Sequence, residues 1–123
     1  MPPAILIALL VQAAPPFVAG SPDARAGIIH VGATGIRCAR LPCPTRGVFI
    51  PDARGHAVRD RLLMADTSGT APPPPMIGNA AARREIARIW EARGCVAVEG
   101  RLIAGEDDRP LLRVDRLVGR CSS

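Results

Sequence analysis

The sequence predicts a mainly β fold with one helix. Three observations carry this: short β-prone runs recur between Gly- and Pro-rich turns, one apolar stripe of helical period is capped at both ends, and two late apolar runs match as a hairpin. With 123 residues the chain is one domain at most. Removing a leader would leave roughly 100 residues, where a single core is marginal and covalent cross-links matter.

The N-terminus, "MPPAILIALLVQAAPPFVAGSPDARA", has an apolar run from Ala4 to Val11 followed by small residues and prolines, the pattern of a secretory signal. No Lys or Arg precedes that run. Even extended to Val18 it is too short, at about 1.5 Å per residue, to cross about 30 Å of hydrocarbon, and Pro15-Pro16 would break it. No stable membrane anchor is expected. Cleavage fits after Ala13, Gly20 or Ala26, with Gly20 preferred because Val18 then stands three residues before the cut. The expected organisation is a signal peptide over 1–20 and one domain over 27–121, which places the mature protein in the periplasm of a bacterium or outside the cell.

Ile28, Ile29 and Val31 form the first β-prone run, ended by Gly32 and Gly35. A second strand is centred on Val48 to Ile50 and stopped by Pro51-Asp52. "DARG" reads as a hairpin turn, so "HAVRDRLLMAD" is taken as a third strand. Thr67 to Gly78 contains four consecutive prolines and reads as a stiff extended connector without ladder hydrogen bonds. The helix is "NAAARREIARIWEARG", with Asn79 as N-cap, Gly94 as the residue just past its end, and Ala82, Ile86, Ile89 and Trp90 on one stripe. Trp90 is expected in the core rather than as a stacking platform for a ligand.

"CVAVEGRLIAGEDDRPLLRVDRLVGRC" folds as a hairpin if Val98 lies opposite Val118, Leu102 opposite Val114 and Ala104 opposite Leu112 on one side, with Arg101 opposite Asp115 on the other. A shift of one residue would set Leu102 against Arg113. The same register places Cys95 opposite Cys121, leaving Cys38 and Cys43 to close the loop "GIRCARLPCPTRG" as a local staple. An even cysteine count in a small exported chain points to disulfides. Zinc knuckle spacing and the C-x-x-C pattern of a redox helix are both absent.

Strand, strand, strand, helix, strand, strand resembles the OB-fold, a five-stranded barrel in which a helix plugs one end. An open antiparallel α+β sheet with the helix on one face is the alternative. The stretch "GIRCARLPCP" with the late "VAVEGRLI…LLRVDRLV" hairpin also resembles certain small exported bacterial proteins of unknown function, a resemblance that implies no activity and no site.

The chemistry-bearing residues are few. His30 and His56 are the only histidines, and neither falls in a motif with a serine or carboxylate, so no catalytic residue is expected. Glu106, Asp107 and Asp108 read as a solvated hairpin tip rather than a cation site. No metal is expected from the cysteine spacing or the acidic tip, and no cofactor is expected, since neither phosphate-loop pattern occurs. All 16 basic side chains are arginines spread among acids, so the net charge of +5 weakly favours an anionic partner. Nucleic acid is a familiar ligand of OB-folds, but such sites stack bases on aromatic groups, and beyond the leader only Phe49 and Trp90 are aromatic. The expected function is therefore an exported, disulfide-stabilised interaction or structural module with an unknown protein or small-ligand partner. A nucleic-acid-binding protein and a periplasmic ligand-binding or inhibitor protein are the alternatives. Arg101 and Arg113 are the candidate interaction surface.

Overall fold

A computed structural model of the chain describes residues 27–121. The predicted signal peptide lies outside the described residues. Six strands form one mixed, open sheet: β1 (Ile28–Ala33), β2 (Arg46–Phe49), β3 (Leu62–Asp66), β4 (Met76–Gly78), β5 (Cys95–Ala104) and β6 (Pro110–Arg120), in the order β3-β2-β1-β5-β6-β4. The single α-helix among the described residues, α1 (Ala80–Glu91), packs on one face. The fold is mainly β with one helix, as expected, but the five-stranded closed barrel is not what forms. β3 and β4 are the two edges of the ladder, and they are consecutive in the chain. The open-sheet alternative is nearer, although β4 runs parallel to β6, which makes the sheet mixed. The connector thus departs from the sequence reading at its end, because Met76 to Gly78, directly after the prolines, do enter the ladder.

Alternation builds the core. Ile29 and Val31 of β1, Val48 of β2, Val96, Val98 and Leu102 of β5, and Leu112 and Val114 of β6 point to one side and are fully or nearly fully buried. Ala82, Ile86 and Trp90 of the helix close over them, as their spacing implies. Asn79 caps the helix by accepting a hydrogen bond from Ala82 N–H at 2.8 Å. At the other end Arg93, not Gly94, is the left-handed residue, with φ of 63°. Arg93 N–H donates to Trp90 O at 3.0 Å and Gly94 N–H to Ile89 O at 2.9 Å, a Schellman closure displaced by one residue from expectation. A Cβ at Gly94 would make a tight contact, 3.1 Å from the Ile89 side chain.

The β5–β6 hairpin agrees with its expected register only at the cysteine end, where Val96 pairs with Arg120. Two bulges then intervene, so that Val98 pairs with Leu117, Leu102 with Leu112 and Arg101 with Arg113, instead of the expected Val118, Val114 and Asp115. Val118 and Asp115 are the inserted residues. Each bulge adds one residue to β6, and two together restore which side of the sheet every later residue faces. That is why apolar matching did not reveal them. Gly100 lies at the second bulge, where a Cβ would approach Arg113 O to 2.0 Å.

A buried ion pair ties the sheet to the connector. Arg46 on β2 donates to Asp66 Oδ2 on β3 through Nε at 3.1 Å and Nη2 at 2.9 Å. The same guanidinium donates to Trp90 O and to Ala71 O, both at 3.1 Å, and its Cζ stands 4.8 Å from the Trp90 ring centroid. Asp66 Oδ1 accepts from Ser68 N–H, Ser68 Oγ and Gly69 N–H. Burial opposes ionisation of Asp66, but the Ser68 and Arg46 hydrogen bonds outweigh it and hold the carboxyl well below its ordinary range.

Removing the carboxylate while Arg46 remains leaves a buried charge without its partner. Asp66→Ala should therefore cost about 3–5 kcal/mol in a urea unfolding titration. Both disulfides form as paired from the sequence, Cys38–Cys43 with Cα atoms 5.7 Å apart and Cys95–Cys121 with 5.4 Å. Cys95–Cys121 closes the longer loop, so replacing both residues with serine should cost about 3 kcal/mol on the chain-entropy account. The Cys38→Ser/Cys43→Ser protein should retain a higher melting temperature than that variant.

Candidate interaction site

The loop between β1 and β2, residues 34–45, is built as a rigid projection. Thr34 is buried at its base; its Oγ1 donates to Pro44 O at 2.6 Å and accepts from Ile36 N–H at 3.0 Å, while its N–H donates to Thr45 O at 3.0 Å. The Cys38–Cys43 bond closes the outer part. Arg59, in the 3₁₀ turn Arg59–Arg61 that precedes β3, donates through Nη2 to Cys38 Sγ at 2.9 Å and braces the loop against its neighbour. At the tip, Leu41 is 87% exposed, the most exposed large apolar side chain among the described residues, with Arg37 and Arg40 exposed beside it. The sequence predicts a local staple here and assigns no role to Leu41. The available signal was a leucine standing in a short, otherwise polar, cysteine-closed loop.

The expected surface pair, Arg101 and Arg113, is brought together by the bulges as direct cross-strand neighbours on the sheet face away from α1. Like charges directly opposite are destabilising. Arg113 reaches Asp115 at 3.5 Å, whereas Glu99, next along the same face, is taken by Arg116 at 2.5 Å. The Nε atoms of both Arg101 and Arg113 are buried without a hydrogen-bond partner. The acidic residues Glu106, Asp107 and Asp108 form an exposed 3₁₀ turn at the hairpin tip, as expected.

The two histidines separate. His56 is exposed in the loop after β2, where Asp52 organises the turn by accepting from the N–H groups of Arg54 and His56, each at 2.9 Å. His30 is buried on β1, edge-on to Phe49 with ring centroids 5.3 Å apart, and its Nδ1 has no hydrogen-bond partner. Burial lowers its pKa, so the neutral ring is favoured. A cavity of about 680 Å³ opens nearby, lined by Thr34, Phe49, His56, Arg120 and the Cys95–Cys121 pair among others.

These two depressed pKa values give the stability a definite pH course. Unfolded His30 takes up a proton near pH 6.5 and the folded residue only at lower pH, so stability should begin to fall as pH drops below about 6.5. A second loss should follow below about pH 4, as unfolded carboxylates protonate while Asp66 resists. His30→Gln should remove the first decline and leave the second, measured as urea midpoints from pH 8 to pH 3. No protein-family model, curated protein or solved structure matches the chain, so the functional reading rests on these residues themselves.

Proposed function

We propose that this protein is an exported, disulfide-stabilised interaction module that docks a protein partner through the Cys38–Cys43 loop. The observation that carries the proposal is Leu41, held 87% exposed at the tip of a loop that is closed covalently and pinned at its base. A solvent-facing leucine gains nothing for the fold. On a pre-organised loop it can enter a partner's apolar pocket with little ordering cost. Arg37 and Arg40 beside it favour a pocket rimmed by carboxylates. The two disulfides suit an oxidising, extracellular-type environment, and no helix among the described residues is long and apolar enough to cross a membrane. The apolar leader of the sequence supports export to the periplasm or beyond. No catalytic step is assigned to any residue.

A photo-crosslinking side chain placed at position 41 in the exporting cell should capture one protein. The same group at Asp107 should not, and Cys38→Ser/Cys43→Ser should weaken the capture. Leu41→Asp should change stability by less than about 0.5 kcal/mol yet abolish binding to the captured partner. Equal capture from positions 41 and 107 would overturn the proposal.

The Arg101–Arg113 pair favours a second reading, a surface for the phosphates of single-stranded nucleic acid. Binding of a fluorescent oligonucleotide should then fall steeply with salt through counterion release, and Arg101→Ala should reduce the salt slope by about 1. An absence of binding at low salt would eliminate it.

A further inference from the structure

We infer that Cys95, Cys121 and His30 form a latent site for a thiophilic metal ion, hidden by the disulfide and opened by its reduction. One ligand atom from each residue lies within 4.8 Å of the others. The fold brings them there from three parts of the chain. Gly32 pairs with Cys95 and His30 with Ala97, so His30 is a diagonal cross-strand neighbour of Cys95 on the same sheet face. Cys121, just past β6, is held beside Cys95 by its N–H, which donates to Cys95 O at 3.2 Å.

His30 supplies an independent reason. The residue is 6% exposed, and a buried imidazole nitrogen without a partner is uncommon, since buried polar atoms almost always find one. A neutral imidazole has a lone pair to give, and two thiolates with one imidazole are a soft donor set suited to zinc or copper(I). A protein ligand set of three leaves a fourth position open on zinc. The cavity of about 680 Å³ lined by Cys95 and Cys121 provides access, and His56 lines the same cavity.

The redox step balances with a small thiol as reductant. Two thiol molecules transfer two electrons and two protons to the Cys95–Cys121 bond and become one disulfide, leaving two cysteine thiols. A divalent ion then displaces the two thiol protons to solvent and accepts the neutral His30 nitrogen. A small disulfide reverses this: it takes two electrons from the two thiolates and two protons from solvent to become two thiols, the Cys95–Cys121 bond re-forms and the ion is released, so the staple and the metal site exclude each other. The inference is independent of the Leu41 loop.

Cys38→Ser/Cys43→Ser protein isolates the late pair. After reduction with an immobilised phosphine, which becomes the phosphine oxide, anaerobic titration with Co²⁺ should give one equivalent bound, with a thiolate-to-cobalt charge-transfer band and visible d–d bands that Zn²⁺ abolishes. The oxidised protein should show neither. Cys121→Ser in this background should lose most of the charge-transfer intensity, and His30→Ala should weaken affinity at least about tenfold. Should His30→Ala fail to fold, the ring ¹⁵N shifts of His30 in the parent decide the matter: a large shift of one nitrogen on adding Zn²⁺ is expected. No charge-transfer band in the reduced parent, or a His30 ring unmoved by Zn²⁺, would overturn the inference.

Discussion

The buried pair of Arg46 and Asp66 is the constraint on which the rest of the fold depends. Two charges leave water, and the pair can be favourable only because nearly every remaining donor and acceptor is met. Asp66 holds three groups of Ser68 and Gly69, while Arg46 reaches Ala71 O in the connector and Trp90 O at the end of α1. One side-chain pair thus joins β2, β3, the connector and the helix. Trp90 reinforces it, because its indole N–H donates to Ala71 O at 2.9 Å, the same carbonyl that Arg46 uses. The route of the chain from one sheet edge to the other is set at this point.

That route explains the shape of the sheet. The connector carries the chain from β3 at one edge to β4 at the opposite edge, where Leu112 N–H donates to Pro75 O at 2.9 Å and the parallel β4–β6 pairing begins. Prolines suit such a crossing, since they lack the N–H that a ladder would require and hold the backbone extended. The two bulges in β6 act in the same hairpin, increasing its twist while preserving the inward direction of Leu112 and Val114.

The disulfides divide the work. Cys95–Cys121 fastens the open end of the long hairpin, where Arg120 and Gly119 are exposed and the strands would fray, and it stands beside the buried His30. Cys38–Cys43 lies outside the core and stiffens a projection. A chain of this size with a modest core can hold such a projection rigid only with covalent and local hydrogen-bond support. The bond that stabilises the core hairpin and the bond that shapes the proposed docking loop are therefore different cysteine pairs.

Much of the fold was legible locally. The helix follows from Asn79 and the Ala82, Ile86, Trp90 stripe, β1 and β2 from their β-branched runs, and both disulfide pairings from cysteine position and hairpin matching, because each depends on residues near in sequence or on a periodicity that burial enforces; the third strand starts at Leu62 rather than at His56, since Arg59–Arg61 form a 3₁₀ turn. The strand order, the parallel β4–β6 contact and the bulges at Val118 and Asp115 were not legible, since a two-residue slip keeps every side chain on its own face and a three-residue strand carries no period. Arg46 is one arginine among sixteen until β2, β3 and α1 meet around it. Leu41 and His30 were visible as residues, but exposure at a loop tip and proximity to a disulfide are relations between distant segments. Sequence determined the helix, most of the strands and the covalent pairing; tertiary structure decided the edge strand β4 and which side chains meet, because burial and strand order act on the assembled chain.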